Sequence, residues 1–129
     1  MSVVVNASID RLLKATSRSF YLSLQILPNQ IKNQVGLLYL LARVADTIAD
    51  TGEEPHLLLS SLEKYKKAVS NESPPIDLTD IASLQTDSSE SDLLLSVNDV
   101  IEAFGRVGSA DRDMMLECLL TIISGQRLD

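Results

Sequence analysis

Apolar residues recur three or four positions apart along most of the chain, which is the spacing of amphipathic helices. The predicted helices cover residues 6–14, 20–27, 30–50, 55–69, 93–104 and 110–123. Residues 20–27 also alternate in part, as a strand would, but their neighbours are helical and no strand partner is evident. No repeat is found. The pattern therefore predicts an all-α fold of about five or six helices.

Polar residues predict where several of these helices begin. Asn29 is predicted to cap the long third helix, and Ser109 the last one. Pro55 suits the first position of a helix. Ser89 and Asp92 have the spacing of a capping box before the helix over residues 93–104. The Ser-, Asp- and Pro-rich residues 70–92 predict a mobile loop with a single helical turn.

The long third helix is apolar on nearly every side except for one polar stripe, formed by Tyr39, Arg43, Asp46 and Asp50. At about 100° per residue, these positions fall within about 60° of one another. The two acids repel each other, so they form a poor salt-bridge network. With the guanidinium they suit a divalent cation and a phosphate group. The alternatives are a solvated helix end and a structural ion pair of Arg43 with one of the acids.

The composition indicates a single domain over residues 1–129, since 45% hydrophobic residues suffice for a core and exclude a disordered chain. A net charge of -7 without a Lys/Arg cluster argues against nucleic-acid binding. One cysteine and the lack of a basic, apolar leader predict a cytoplasmic setting. No segment is long and uncharged enough to span a membrane, but contact with a membrane surface is compatible with the pattern.

Four residues that could suggest other chemistry receive structural interpretations. His56 has no second His or nearby Cys to complete a metal set, so we expect it at the surface. Cys118 lies near the apolar stripe of the last helix and is expected to be buried. Met114 and Met115 are interpreted as core residues.

Three stretches of the chain, taken in order, resemble the squalene and phytoene synthase family of head-to-head prenyl synthases. They read TSRSFYLSLQILP (residues 16–28), YLLARVADTIAD (residues 39–50) and ISGQRLD (residues 123–129). The resemblance covers the N-terminal half of the family domain, so the chain looks truncated. It implies an isoprenoid-synthase fold in which two aspartate-rich helices face each other across a deep pocket.

The resemblance also implies roles for the polar stripe. Asp46 and Asp50 stand where the family holds Mg²⁺, which bridges to the diphosphate of a prenyl substrate. Arg43 and Tyr39 match residues that contact this diphosphate. Metal and guanidinium together stabilise the departing pyrophosphate.

A second group of residues is implied to lie over the phosphate end of the substrate: Thr16, Ser17, Arg18 and Ser19. Hydroxyls, backbone N–H groups and a guanidinium suit such an anion. The alternative is that Ser17 and Ser19 are helix caps. Phe20 and Tyr21 are implied to line or support a pocket for isoprenoid tails.

The implied activity is Mg²⁺-dependent condensation of two farnesyl, or geranylgeranyl, diphosphates to squalene, or phytoene. Squalene is favoured by the sequences SRSF, DTIAD and GQRLD, and its formation requires NADPH. The second aspartate-rich motif has no counterpart here. The alternative is therefore a non-catalytic helical fragment or subunit that contributes a half-site to a partner. Apolar faces exposed by truncation would favour self-association.

Overall fold

The computed structural model describes residues 7–51, 55–70 and 75–128, and these ranges form eight helices and no strand. The helices are α1 (Ala7–Thr16), α2 (Arg18–Leu24), α3 (Asn29–Ala49), α4 (Pro55–Val69), α5 (Thr79–Ser83), α6 (Ser88–Leu95), α7 (Val97–Gly105) and α8 (Ser109–Leu128). The all-α fold is confirmed. The predicted number of five or six helices is too low for the described ranges.

Helix α3 is the centre of the structure, because α1, α2, α4, α6, α7 and α8 all pack against it. Its fully buried side chains are Leu37, Leu40, Leu41, Val44, Ala45 and Ile48. Asn29 does not cap this helix as predicted. Pro28 occupies the cap position, where its side chain makes no hydrogen bond, and Asn29 is already helical.

Gly36 lies where side chains of α1 and α2 closely approach the backbone of α3. A Cβ atom at Gly36 would lie 2.9 Å from Cδ1 of Leu13 and 3.6 Å from Cδ1 of Leu24. Both leucines are buried. The missing side chain thus lets α1 and α2 pack directly against α3.

Helix α4 begins at Pro55, as predicted, and buries Leu62, Tyr65 and Val69. The hydroxyl of Tyr65 donates a hydrogen bond of 2.6 Å to the carbonyl oxygen of Leu41 on α3. Burial raises the pKa of Tyr65 well above its ordinary value of 10.0. This phenol therefore joins the two helices in its neutral form.

The prediction of a loop with a single helical turn over residues 70–92 is confirmed in part for its described residues, because α5 supplies that turn, but it is wrong for residues 88–92, which already belong to α6. Leu78 and Ile81 are buried and hold this segment against the core. Helices of five to eight residues contain few apolar positions from which a helical period can be recognised. The polar composition of this segment therefore favoured the prediction of a loop.

The boundaries of the last three helices also differ from the prediction. Asp87 caps α6 by accepting a 2.7 Å hydrogen bond from the N–H of Ser89, in place of the expected capping box of Ser89 and Asp92. The predicted helix over residues 93–104 is divided at Ser96 into α6 and α7. Helix α8 continues to Leu128 and does not fade at residues 124–125.

Helix α8 corrects two predictions about burial. Met115, Leu119 and Ile123 form its buried stripe. Met114 and Cys118 precede the first two by one residue, about 100° around the helix, and are exposed. Met115 is thus a core residue as predicted, whereas Met114 and Cys118 are not. His56, as expected, is exposed.

Replacing Tyr65 by Phe should lower the free energy of unfolding by about 1 kcal/mol at neutral pH, because one buried hydrogen bond is lost while the ring still packs. Above pH 10 the unfolded wild type releases this proton while the folded state retains it, so wild-type stability falls. The difference between the two proteins should therefore shrink. Denaturant unfolding at neutral and alkaline pH measures it, and a difference that grows with pH would contradict this account.

Candidate functional site

The predicted polar stripe lies on α3, and its exposure increases toward the end of the helix. Tyr39, Arg43 and Asp46 are half-buried, whereas Asp50 is exposed. Asp50 is the C-terminal cap of α3, and its N–H donates a 2.9 Å hydrogen bond to the carbonyl oxygen of Asp46. The side chains of Asp46 and Asp50 therefore extend from positions one helical turn apart, at the more exposed C-terminal end of an otherwise buried helix.

Arg43 forms an ion pair with a residue that the sequence did not point to. Its Nη2 donates to Oε1 of Glu90 on α6, and the two side chains are 35% and 23% exposed. Glu90 stands three and four residues before the buried Leu93 and Leu94, so it lies on the face of α6 that packs inward. This glutamate falls within the segment predicted as a loop, where no face could be assigned. The sequence had suggested Asp46 or Asp50 as the structural partner of Arg43.

Two buried polar atoms of α3 have no hydrogen-bond partner among the described residues: Nε of Arg43 and Oγ1 of Thr47. Thr47 follows Arg43 by one turn and is only 4% exposed. Buried donors without partners are costly and uncommon. This side of α3 therefore retains hydrogen-bonding capacity next to the two acids. Thr47 was not singled out from the sequence. Its hydroxyl group, one helical turn after Arg43, was the feature that could have indicated it.

The junction between α1 and α2 contains the predicted phosphate-end residues. Oγ of Ser17 accepts a 3.3 Å hydrogen bond from the N–H of Phe20 and so caps α2, which confirms the capping alternative for Ser17. The hydroxyl of Thr16 donates to the carbonyl oxygen of Leu12 at 2.6 Å. The Ser17 hydroxyl thus fixes the start of α2, whereas the Thr16 hydroxyl bonds within the last turn of α1.

The other two residues of this group are less informative about a ligand. Arg18 begins α2, but its side chain lies outside the described part of the structure. Ser19 is exposed, and its carbonyl oxygen accepts a 3.2 Å hydrogen bond from the hydroxyl of Ser23. No capping hydrogen bond is described for the Ser19 side chain.

Aromatic stacking brings the first two predicted stretches together. The rings of Phe20 on α2 and Tyr39 on α3 are stacked, with centroids 4.3 Å apart and an interplanar angle of 27°. Tyr21 is directed to α1 instead. Its hydroxyl donates a 3.0 Å hydrogen bond to Oδ2 of Asp10, and this bond raises the pKa of Tyr21. Phe20 therefore contacts the polar stripe through Tyr39, whereas the hydroxyl of Tyr21 bonds to α1.

The third predicted stretch ends α8. Ile123 is buried, whereas the side chains after Gly125 lie outside the described part of the structure. Nε2 of Gln34 donates a 2.8 Å hydrogen bond to Oδ2 of Asp111, which joins the second turn of α3 to the first turn of α8. The two long helices therefore start at the same end of the bundle.

A family model for squalene/phytoene synthase matches residues 13–129. The chain belongs to the squalene/phytoene synthase family. The match includes every candidate site residue on α2 and α3, and family membership indicates a prenyltransferase type of enzyme. No curated protein and no solved structure matches the chain.

The donor set of this squalene/phytoene synthase family member fits a metal that is shared with a phosphate ligand. Among the described residues, no group of three or more His, Cys, Asp or Glu side chains is arranged to hold a metal ion. Asp46 and Asp50 offer two carboxylates beside the unpaired polar atoms of α3. Mg²⁺ commonly takes one or two carboxylates together with phosphate oxygens. The pair therefore suits magnesium bound together with a diphosphate.

None of the helices in the described ranges combines the length and the apolar character needed to cross a bilayer.

Substituting Ser17 by Ala should destabilise the protein by about 1 kcal/mol, because the N–H of Phe20 loses its acceptor at the start of α2. Ser17→Asp keeps an acceptor at the same position and should unfold close to the wild-type midpoint. Thermal or denaturant unfolding of the two variants measures the difference. Equal stability of Ser17→Ala and wild type would contradict the capping role.

Proposed function

We propose that this chain carries the diphosphate site of a Mg²⁺-dependent head-to-head prenyl synthase, formed by Arg43, Asp46 and Asp50. The substrate we favour is farnesyl diphosphate, with squalene as product, and the related alternative is geranylgeranyl diphosphate with phytoene. The observation that carries the proposal is the single charged stripe on a buried helix, within a region that matches the family. The half-buried Arg43 and Asp46 and the exposed Asp50 lie at the edge of the core, where a ligand can reach these charges.

The residues of the stripe suit the chemistry of diphosphate departure. As the bond to the prenyl carbon breaks, negative charge grows on the phosphate oxygens. The guanidinium of Arg43 can donate several hydrogen bonds to them, and the hydroxyl of Tyr39 one more. Mg²⁺ held by Asp46 and Asp50 would supply further positive charge to the same oxygens.

Helix α2 would flank the phosphate end of the substrate. The stack of Phe20 on Tyr39 supports this assignment, because it fixes the start of α2 beside the stripe. The residues that would face the phosphate are Thr16, Ser17, Arg18 and Ser19. If squalene is the product, NADPH would supply the hydride for the final reduction.

The partners follow from this chemistry. The ligand would be a prenyl diphosphate, and nucleic acid is not expected at a net charge of -7. Leu22, Ile26 and Ile31 are large apolar side chains exposed at 57%, 85% and 50%. Exposed apolar surface of this kind supports contact with a membrane surface or self-association, in a cytoplasmic setting.

Exchanging Asp46 for Asn tests the proposal. We expect Mg²⁺-dependent binding of inorganic pyrophosphate, measured by titration calorimetry, to weaken at least about tenfold, because a metal ligand loses its charge. Asp113→Asn is the matched control. Asp113 is exposed near the start of α8, at the end of the bundle where Gln34 lies, about 18 Å along α3 from Asp46.

The control should bind pyrophosphate as the wild type does. Unchanged binding by Asp46→Asn would contradict the proposed site, as would wild-type binding that does not depend on Mg²⁺.

A further inference from the structure

Glu90 on α6 holds the guanidinium that the proposed function assigns to the diphosphate. Its carboxylate oxygen accepts from Nη2 of Arg43. Carboxylate and phosphate oxygens are recognised by guanidinium in the same way, through charge-assisted hydrogen bonds. We propose that Glu90 is an internal anion that occupies Arg43 in the ligand-free protein, and that a diphosphate must displace it. This inference rests on the proposed function.

The surroundings of Glu90 allow the pair to separate. Both side chains are partly exposed, so water can hydrate each of them once they part. Glu90 also lies in the first turn of α6, where the helix dipole stabilises a negative charge without help from Arg43. Leu93 and Leu94 keep α6 anchored in the core. Displacement therefore requires movement of one side chain and leaves the helix in place.

The charge balance gives this pair a functional consequence. Among the described side chains of the proposed site, Glu90, Asp46 and Asp50 supply three carboxylates and Arg43 supplies one guanidinium, so this part of the ligand-free site carries more negative than positive charge. A bare anion is therefore disfavoured there, since the carboxylates repel it and Arg43 is already engaged. A cation shared with the phosphate reverses this balance. Glu90 would thus lower affinity for free anions and make binding depend more strongly on the metal.

The test exchanges Glu90 for Gln, which keeps the shape of the side chain and removes its charge. Glu102→Gln is the matched control, because it makes the same charge change in the exposed pair of Glu102 on α7 and Arg106 at the C-terminal cap of that helix, whose atoms are 3.1 Å apart. In calorimetry with Mg²⁺ and inorganic pyrophosphate, Glu90→Gln should bind about fivefold more tightly than wild type. Glu102→Gln should bind as the wild type does.

A merely structural role for Glu90 predicts the opposite result, because Arg43 would lose its support and bind pyrophosphate more weakly. Weaker or unchanged binding by Glu90→Gln, with normal Mg²⁺-dependent binding by the wild type, would overturn the inference and leave the proposed function intact. Absence of Mg²⁺-dependent binding in the wild type would overturn the proposed function and the competition with it. Circular dichroism confirms that each variant is folded.

A second measurement needs no ligand. Phenylglyoxal modifies accessible guanidinium groups, and mass spectrometry identifies the modified residue. Arg43 should react severalfold faster in Glu90→Gln than in wild type, and at the wild-type rate in Glu102→Gln. An unchanged rate at Arg43 in Glu90→Gln would overturn the pairing on which the inference depends.

Discussion

Burial of α3 on most of its surface is the constraint on which the rest of the structure depends. Six helices pack against α3, so ionised groups on it can only be placed where the packing leaves access to water or to a ligand. That condition is met by the half-buried Arg43 and Asp46 and the exposed Asp50. The position of the candidate site is thus a consequence of how the core is built, with the charged stripe at the edge of the packed surface.

The same packing explains why residues far apart in sequence meet at the stripe. Gly36 allows α1 and α2 to approach α3 closely, which sets Phe20 against Tyr39. On the other side, Leu93 and Leu94 of α6 enter the core, and their burial places Glu90 beside Arg43. Apolar contacts therefore position the aromatic ring and the carboxylate that surround the stripe.

Sequence periodicity predicted the parts of the fold with long, regular patterns. The sequence predicted the all-α class, the long helix α3 and the start of α4 at Pro55, because each depends on local signals in the chain. Glu90 could not be predicted, since its contact with Arg43 spans 47 positions and depends on two short helices within a polar segment. Consecutive residues point about 100° apart around a helix, so the neighbour of a buried residue can face solvent. The exposure of Cys118 was missed for this reason. The chemistry of Asp46 and Asp50 was suggested by their spacing, and its ligand by family resemblance.

The central claim is that Asp46 and Asp50 bind a divalent cation together with a diphosphate. Paramagnetic Mn²⁺ tests it directly in nuclear magnetic resonance spectra of the isotopically labelled chain, recorded with inorganic pyrophosphate present. The account predicts that amide signals of residues 46–50 lose intensity first and most strongly as Mn²⁺ is added. Loss centred on the exposed acids Asp77, Asp80 and Asp87, with residues 46–50 unaffected, would contradict it.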